Sequence, residues 1–282
     1  MPDIFANHAH VFPKELKPEG TVEQLLQLMD ACGIARAVCF APFPERHAPA
    51  DFGVRNWNQW LAREIAGNGR LLGFGTVDFK RPALTTQVAE IAILKLKGIK
   101  IHPAAQGVDL LGKEARETYA AAEKLGLFVS FHTGLHWHRL RGYQPALFDE
   151  LNWDYPDLRF SMEHIGGYAF FREAMGVLAN GKNGYAGWTS VQPGKNGVPG
   201  VWSLSNMELC AVAHQLGPER SIFGLDFPYR KEPEIKAAIE RFSSLPISDE
   251  AKAGLFGENL ARVLRSSAQP PRPAGHPSQE GN

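Results

Sequence analysis

The sequence predicts a single (β/α)8 barrel (a TIM barrel), and three observations favour this α/β fold class. Short apolar runs alternate with longer stretches of helical periodicity from residue 3 to about residue 265. Eight such runs occur within 282 residues, and this length suits one barrel because such barrels commonly take about 250 residues. No G-x-G-x-x-G motif follows any run, which disfavours a doubly wound open sheet.

The eight predicted strands and the helices between them follow in a regular order. The strands are 4–10, 37–40, 71–77, 98–102, 127–132, 158–164, 185–191 and 221–226. Helical periodicity covers residues 22–32, 57–66, 84–94, 113–125, 168–179, 203–216 and 233–243. The first helix also has a capping-box start at Thr21 and a glycine stop at Gly33. Strands that alternate with helices in this way predict a parallel sheet.

Composition excludes several classes of partner. Lysine plus arginine and aspartate plus glutamate both number 30, so the formal net charge is zero, which argues against nucleic acid and against a membrane surface. The three cysteines (Cys32, Cys39 and Cys210) form no C-x-x-C pair and indicate reduced thiols. With no signal peptide or stretch of 18 apolar residues, we expect a cytoplasmic location.

The C-terminal segment differs in composition from the rest. Residues 266–282 are rich in proline, serine and glycine and have no apolar periodicity. This composition predicts a disordered tail. The sequence therefore divides into a barrel domain at 1–265 and a tail at 266–282.

Polar residues that end the predicted strands are the candidates for function. His8 and His10 close the first strand with a single alanine between them, and the later strands end in His102, His132, His164 and Asp226. The carboxyl ends of all eight strands meet at one mouth of a barrel, where the active sites of this fold lie. We therefore expect these side chains to converge.

Strand alternation then predicts which neighbours share the barrel interior. An inward His132 brings Ser130 and Phe128 with it, and an inward Asp226 brings Gly224 and Ile222. On the first strand, Ile4 and Ala6 should face inward with His8. On the sixth, Phe160 and Met162 should face inward with His164, and Glu163 should point to the opposite face. On the fourth, Lys100 should face inward with His102. An inward lysine is expensive unless it has a partner or a chemical role.

The imidazoles and the carboxylate suit one divalent metal ion. We predict His8, His10, His132 and Asp226 as its ligands. Such a set fits Zn²⁺ first, with Mn²⁺, Fe²⁺ and Co²⁺ as alternatives. An open coordination position would hold a water whose pKa falls to about 7.

Four stretches at these strand ends carry a resemblance to a known family. They are N-H-A-H at 7–10, F-H-T-G at 131–134, M-E-H-I-G-G at 162–167 and F-G-L-D-F-P at 223–228. Together with G-I-K-I-H-P-A-A-Q-G at 98–107, they resemble the amidohydrolase superfamily, and within it the amidohydrolase-related branch of lactone hydrolases and non-oxidative decarboxylases. The resemblance covers residues 3 to 264.

This resemblance implies a metal-dependent barrel with the same four ligands. It implies that His164 is a second-metal ligand or an acid/base residue without a metal bond. Many two-metal members bridge their ions with a carboxylated lysine on strand 4, where Lys100 lies here. The setting of Lys100 resembles the single-metal branch instead, and a homodimer is a further expectation from the family.

The loop after the fifth strand predicts the charge of the substrate. It contains His136, Trp137, His138, Arg139 and Arg141, and arginine matches a carboxylate in a bidentate fork. We assign substrate binding to Trp137, Arg141, Tyr229 and His102. For His102, capping of the following loop is an equal alternative to substrate binding. The cationic loop predicts that the substrate is a small anionic molecule.

Three functions remain open at this point. The first is a hydrolase in which a metal-bound hydroxide opens a small carboxylated lactone, ester or amide, with Asp226 and His164 as catalytic residues. The second is a non-oxidative decarboxylase of a small carboxylic acid, aromatic acids included, on the same metal site. The third is a metal-binding barrel without catalysis.

Overall fold

A computed structural model describes residues 3–193, 198 and 200–265 as a closed barrel of eight parallel strands. Each strand pairs with the next along the chain, and β1 pairs with β8 to close the ring. The strands are β1 (Ile4–His10), β2 (Ile34–Phe40), β3 (Leu71–Gly75), β4 (Gly98–Ile101), β5 (Phe128–His132), β6 (Phe160–Glu163), β7 (Gly184–Thr189) and β8 (Ser221–Phe227). The predicted single-domain (β/α)8 barrel is confirmed. The predicted tail at 266–282 lies outside the described residues.

The helices surround the barrel in the predicted order. They are α1 (Val22–Cys32), α2 (Trp57–Glu64), α3 (Leu84–Ile93), α4 (Pro103–Gln106), α5 (Lys113–Lys124), α6 (Asp149–Asp154), α7 (Gly167–Asn180), α8 (Asn206–Leu216), α9 (Glu232–Ser243), α10 (Asp249–Ala253) and α11 (Asn259–Arg265). At α1, the Thr21 side chain accepts a hydrogen bond from the amide of Gln24, and Gly33 adopts a left-handed conformation after the last turn. Among the described residues, no helix combines the length and the hydropathy that a membrane span requires.

Two apolar clusters form the core. The larger cluster lies between the outer face of the strands and the helices. The smaller cluster fills part of the barrel interior and packs against α11; from the strands it contains Phe5, Val38, Phe40, Phe74, Phe128 and Ile222. Aromatic rings stack through this interior, with Phe74 at a centroid distance of 5.6 Å from Phe40 and 5.8 Å from Phe128. We call these six strand residues the apolar floor.

The facing of β1 corrects the sequence prediction. Ile4 and Ala6 belong to the outer cluster, whereas Phe5 is part of the apolar floor. The pairing of β1 with β2 shifts between Ala6 and Ala9, and His8 has a φ of +65°. Strict alternation therefore fails, because this irregularity turns His8 inward directly after the buried Asn7.

The facing of β6 corrects a second prediction in the same way. Phe160 and Met162 lie in the outer cluster, and Glu163 points into the barrel. His164 follows the last strand residue with a φ of +68°. This left-handed conformation interrupts the alternation of side chains, so the consecutive residues Glu163 and His164 both face the interior. On β5 and β8 the predicted alternation holds, because Phe128 and Ile222 face the interior as part of the apolar floor.

Candidate metal centre and active-site cleft

Backbone irregularities at the strand ends bring the polar side chains together. Left-handed φ angles occur at His8, His164, Ser190 and Asp226, with values of +65°, +68°, +55° and +56°. Residues other than glycine adopt this region rarely and at a cost of order 1–3 kcal/mol. All four lie within two residues of the carboxyl end of a strand, where they crowd additional side chains into the mouth of the barrel.

Three predicted ligands converge at this mouth. The ligand atoms of His8, His10 and Asp226 all lie within 4.8 Å of one another. His8 Nε2 lies 3.2 Å from His10 Nε2 and 3.5 Å from Asp226 Oδ1. His8 and Asp226 are buried, and His10 is partly buried. Two imidazoles and a carboxylate are a set that binds Zn²⁺ and related divalent ions.

Glu163 determines which nitrogen of His8 faces the other ligands. Its carboxylate accepts a hydrogen bond from His8 Nδ1 at 2.9 Å, and a carboxylate can only accept. His8 Nε2 therefore carries a lone pair, and it faces Asp226 Oδ1, which is also an acceptor. Two facing acceptors without a hydrogen between them fit a cation, so the residues present suit the implied metal.

The sequence prediction placed Glu163 on the opposite face, and this is wrong. One signal was present in the sequence: Glu163 is the single acidic residue of the 158–164 run, directly before the strand-end His164. In the structure Glu163 is fully buried. A buried carboxylate requires several donors, and hydroxyl side chains on neighbouring strands supply them.

His132 and His164 form a second acceptor pair. His164 Nδ1 donates to the Thr189 carbonyl at 2.7 Å, and His132 Nε2 donates to the Gly134 carbonyl at 2.7 Å. The remaining nitrogens, His132 Nδ1 and His164 Nε2, lie 3.1 Å apart. In the neutral rings both carry lone pairs, so this position also favours a proton or a cation. The predicted roles of His132 as a ligand and His164 as a catalytic residue stay predictions.

A second histidine set near the mouth is a poor candidate for a shared ion. The ligand atoms of His102, His132 and His136 lie within 4.8 Å of one another. However, the rings of His102 and His132 stack at 3.8 Å with an interplanar angle of 11°, and nearly parallel rings cannot both direct in-plane lone pairs at one ion. His102 also uses both nitrogens, since Nδ1 accepts from the Ala105 amide and Nε2 contacts His136.

Burial changes the charge state of these groups. It lowers the pKa of His8, His10 and His132 well below the ordinary value, and nearby positive groups add to the shift. Burial also lowers the pKa of His164 to about 3 and raises the pKa of Asp226. Neutral imidazoles present free lone pairs at neutral pH, which is the state that binds a metal.

Lys100 lies inward on β4, as alternation predicted. It is fully buried, and its Nζ has no hydrogen-bond partner among the described residues. The ammonium lies 5.0 Å from the centre of the Phe40 ring. Burial lowers the pKa of Lys100 to about 8, although Glu163 and Asp226 oppose the shift.

A cleft of about 1530 Å³ opens above the candidate metal centre. His8, His10 and Asp226 lie among its lining residues. The cleft also extends towards α8 and α9, where Asn206 and Arg241 line it. Its volume exceeds the 300–1,000 Å³ that is common for small-molecule sites, so the cleft has room for a substrate and for solvent.

Two lining residues escaped the sequence prediction. Arg46, in the connection after β2, contacts His138 Nε2 at 2.8 Å. Trp202 stacks on His164 with a centroid distance of 4.4 Å and donates its indole N–H to the Leu135 carbonyl. Both stand in long connections without a periodic pattern, and the sequence therefore carries no local signal for them.

The predicted substrate-binding residues occupy different places. Trp137 and Tyr229 line the cleft and are 83% and 54% exposed. His102 lines the cleft and also caps α4 through Nδ1. Arg141 is exposed in a short 3₁₀ turn, Leu140–Gly142, and is not among the residues that line the cleft. Substrate contact by all four stays a prediction.

A family comparison identifies the class of protein to which the fold and the candidate metal centre belong. A model of the amidohydrolase family known as amidohydrolase 2 matches residues 8–266. The chain belongs to this family, as the strand-end motifs indicated. A search among curated proteins gives no match.

Solved structures with the same fold include enzymes of two kinds. The 5-carboxyvanillate decarboxylase LigW from Sphingomonas paucimobilis is 17% identical, with a TM-score of 0.71 over 94% of this chain and 99% of that one. A protein of Pseudomonas putida assigned as a 2-pyrone-4,6-dicarboxylic acid hydrolase is 20% identical, with a TM-score of 0.66 over 94% and 98%. A dihydroxybenzoic acid decarboxylase from Polaromonas sp. JS666, which has manganese bound, is 14% identical, with a TM-score of 0.68 over 94% and 97%. At these identities the likeness establishes the fold.

Proposed function

We propose that the protein is a metal-dependent hydrolase that opens a small carboxylated lactone, ester or amide. The observation that carries the proposal is the convergence of His8 Nε2, His10 Nε2 and Asp226 Oδ1 at the base of an open cleft. His8 Nε2 and Asp226 Oδ1 are facing acceptors in a buried site, and a divalent cation relieves their repulsion.

We assign the ion to His8, His10, His132 and Asp226, with Zn²⁺ as the first choice. When bound, such an ion supplies Lewis acidity towards a carbonyl group. His132 joins the set through Nδ1, since its Nε2 is held by the Gly134 carbonyl. This assignment uses the nitrogen of His132 that faces His164 Nε2 and not a backbone carbonyl.

Asp226 and His164 move the protons in this proposal. Asp226 Oδ2 accepts a hydrogen bond from Ser190 at 2.7 Å, which leaves Oδ1 directed at the centre. Burial raises the pKa of Asp226, so its carboxylate accepts a proton from the attacking water more readily and returns it to the leaving group. His164 is fixed through Nδ1 to the Thr189 carbonyl, and its Nε2 accepts a hydrogen bond from the substrate or the water.

The rim of the cleft supports an anionic substrate. Arg46 is exposed beside the cleft, and Arg230 lines it close to Asp226. Arg230 is braced by the Ser190 hydroxyl and by Glu234. Two guanidinium groups favour a carboxylate, because their donors match its two oxygens. A cytoplasmic location and a homodimer stay predictions.

A second candidate is a non-oxidative decarboxylase, which two of the three structural neighbours are by name. The raised pKa of Asp226 supports this reaction as well. The bond between the ring carbon and the carboxyl carbon breaks, carbon dioxide leaves, and a proton from Asp226 replaces it on the carbon. The same ligands and the same cationic rim serve both reactions.

The two reactions differ in what the product contains. The purified protein, reconstituted with Zn²⁺ or Mn²⁺, is incubated in ¹⁸O-water with a panel of carboxylated lactones and hydroxy-aromatic acids. A hydrolase adds one solvent oxygen to the product and releases no carbon dioxide. Release of carbon dioxide together with an organic product that contains no solvent oxygen would assign the decarboxylase instead. Turnover of no member under either metal would contradict the substrate class.

Metal content tests the centre independently of the substrate. We expect one ion per chain by mass spectrometry and a loss of at least 100-fold in metal affinity in Asp226→Asn, because a ligand charge is removed. The exposed Asp51→Asn in the Pro49–Phe52 turn is the matched control and keeps its ion. Two ions that fall to one or none in Lys100→Ala would mean a bridged pair. No ion in any preparation, with added metal, would overturn the proposal.

A further inference from the structure

Glu163 lies at the centre of a network that the substrate does not reach. Its carboxylate is fully buried and is not among the residues that line the cleft. Oε1 accepts hydrogen bonds from Asn7, Ser130 and Ser161 at 2.9, 3.1 and 2.5 Å. Oε2 accepts from Thr189 and His8 at 2.6 and 2.9 Å.

Four strands contribute to this network, and one position in it is kept free of side chains. The donors come from β1, β5, β7 and, through Ser161, from β6, which Glu163 itself ends. A Cβ atom at Gly187 would lie 2.7 Å from Glu163 Cδ and 2.7 Å from Oε2. The carboxylate therefore occupies space that only a glycine leaves open.

Only one of the five donors leads to the metal centre. Four of the contacts end in amide or hydroxyl groups, whereas His8 is the residue whose other nitrogen faces His10 and Asp226. A neutral histidine protonated at Nδ1 has its lone pair at Nε2. Carboxylates that hold metal-binding histidines in this manner fix the ring and raise its basicity.

From this geometry we infer that Glu163 is a positioning residue, which holds His8 in the Nδ1–H tautomer and thereby directs the His8 Nε2 lone pair into the metal centre. The inference rests on the proposed function for the identity of the centre. The tautomer itself is a property of the metal-free chain.

The first measurement is therefore made without metal. Two-dimensional ¹H–¹⁵N spectra of the imidazoles distinguish a protonated nitrogen from a bare one, and His8→Gln assigns the signals of His8 by their loss. We expect the wild-type chain to show His8 protonated at Nδ1 and bare at Nε2. A bare Nδ1, or two tautomers in equal amounts, would overturn the inference whether or not the variants fold.

The second measurement compares Glu163→Gln with Ser130→Ala. The amide in Glu163→Gln can present either an acceptor or a donor to His8, and it has no charge. We expect a mixture of His8 tautomers and a 10- to 100-fold loss of Zn²⁺ affinity in chelator competition, the range known for such outer partners. Ser130→Ala removes one donor to the same carboxylate without touching His8, and it keeps the wild-type tautomer.

Gly187→Ala gives an independent variant in which the carboxylate is retained but displaced. It also yields mixed tautomers and weaker Zn²⁺ binding. If Glu163→Gln binds Zn²⁺ as tightly as the wild-type chain, the inference fails. If the wild-type chain binds no metal while His8 is a single Nδ1–H tautomer, the proposed function fails and the positioning by Glu163 stands.

Discussion

The apolar floor and the polar mouth occupy one barrel interior, and they have opposite effects on folding. The floor consists of Phe5, Val38, Phe40, Phe74, Phe128 and Ile222. Towards the carboxyl ends of the strands the interior contains Asn7, His8, Lys100, Ser130, Ser161, Glu163 and Thr189, all buried. Burial of aromatic rings stabilises a fold, whereas burial of charged and polar groups costs free energy even where they are paired.

The two ends of the interior can therefore be altered separately. A change in the floor lowers the free energy of unfolding and leaves the ligand atoms in place. A change at a ligand in the mouth alters metal binding, and removal of the Lys100 charge, which has no hydrogen-bond partner among the described residues, stabilises the chain. Four predictions test this separation, in order of decreasing size.

Acid acts on the mouth and not on the floor, since the floor has no titrating groups. His8, His10, His132 and His164 have a lowered pKa in the folded chain, against about 6.5 when unfolded. Below pH 6.5 the unfolded chain therefore binds more protons, and stability falls as the pH falls. At about 1.4 kcal/mol per pH unit for each neutral histidine, the metal-free chain loses up to roughly 5 kcal/mol per pH unit. Urea unfolding at pH 7.5, 6.5 and 5.5 measures this loss; a flat profile would contradict it.

Phe128→Ala tests the floor. The ring is 1% exposed and packs against Phe74 and Tyr185, so its removal costs about 3–5 kcal/mol of unfolding free energy. Ser130→Ala, two residues further along the same strand face, costs about 1 kcal/mol. Metal content stays at the wild-type value in Phe128→Ala below its melting temperature. Loss of the ion from the folded variant would show that the two ends are coupled.

Lys100→Met removes a charge from the mouth and keeps the apolar stem. The pKa of Lys100 falls to about 8 on folding, against about 10.4 in the unfolded chain. At pH 7 we therefore expect a gain of about 3 kcal/mol in the free energy of unfolding. The gain shrinks as the pH rises from 8 to above 10, because both states of the wild-type chain then lose the proton. Denaturant titrations at pH 7 and pH 10 check both parts, and a loss of stability at pH 7 would contradict them.

His102→Ala gives the smallest effect. Its Nδ1 caps the four-residue helix α4, so we expect a loss of about 1 kcal/mol, which His102→Asn recovers because asparagine is a good capping residue. Metal content is unchanged in both. A large change in KM in His102→Asn, with stability retained, would instead assign His102 to substrate binding.

The sequence was sufficient for the fold and for the identity of most polar strand ends. Helical periodicity, capping residues and strand-end histidines are local signals, and they placed His8, His10 and Asp226 in the centre that the structure shows. The inward position of Lys100 followed from alternation alone, because Lys100 stands two residues before His102 on the same strand face.

The facing of β1 and β6 could not be predicted, because it depends on left-handed φ angles at His8 and His164. Neither residue is a glycine, so no local conformational preference in the sequence predicts the left-handed backbone. Apart from Ser161, the donors to Glu163 lie on three other strands and reach it only in the folded barrel. A contact of this kind, such as Thr189 to Glu163, has no signature in a single stretch of sequence.

These irregular strand ends have an evolutionary consequence. A regular strand offers one inward side chain for every two residues, whereas β1 and β6 each offer two in succession: Asn7 with His8, and Glu163 with His164. Each pair joins a member of the Glu163 network to a histidine of the mouth, so the support and the functional side chain are inherited as adjacent codons. Deletion of a single residue in either pair would displace both groups at once.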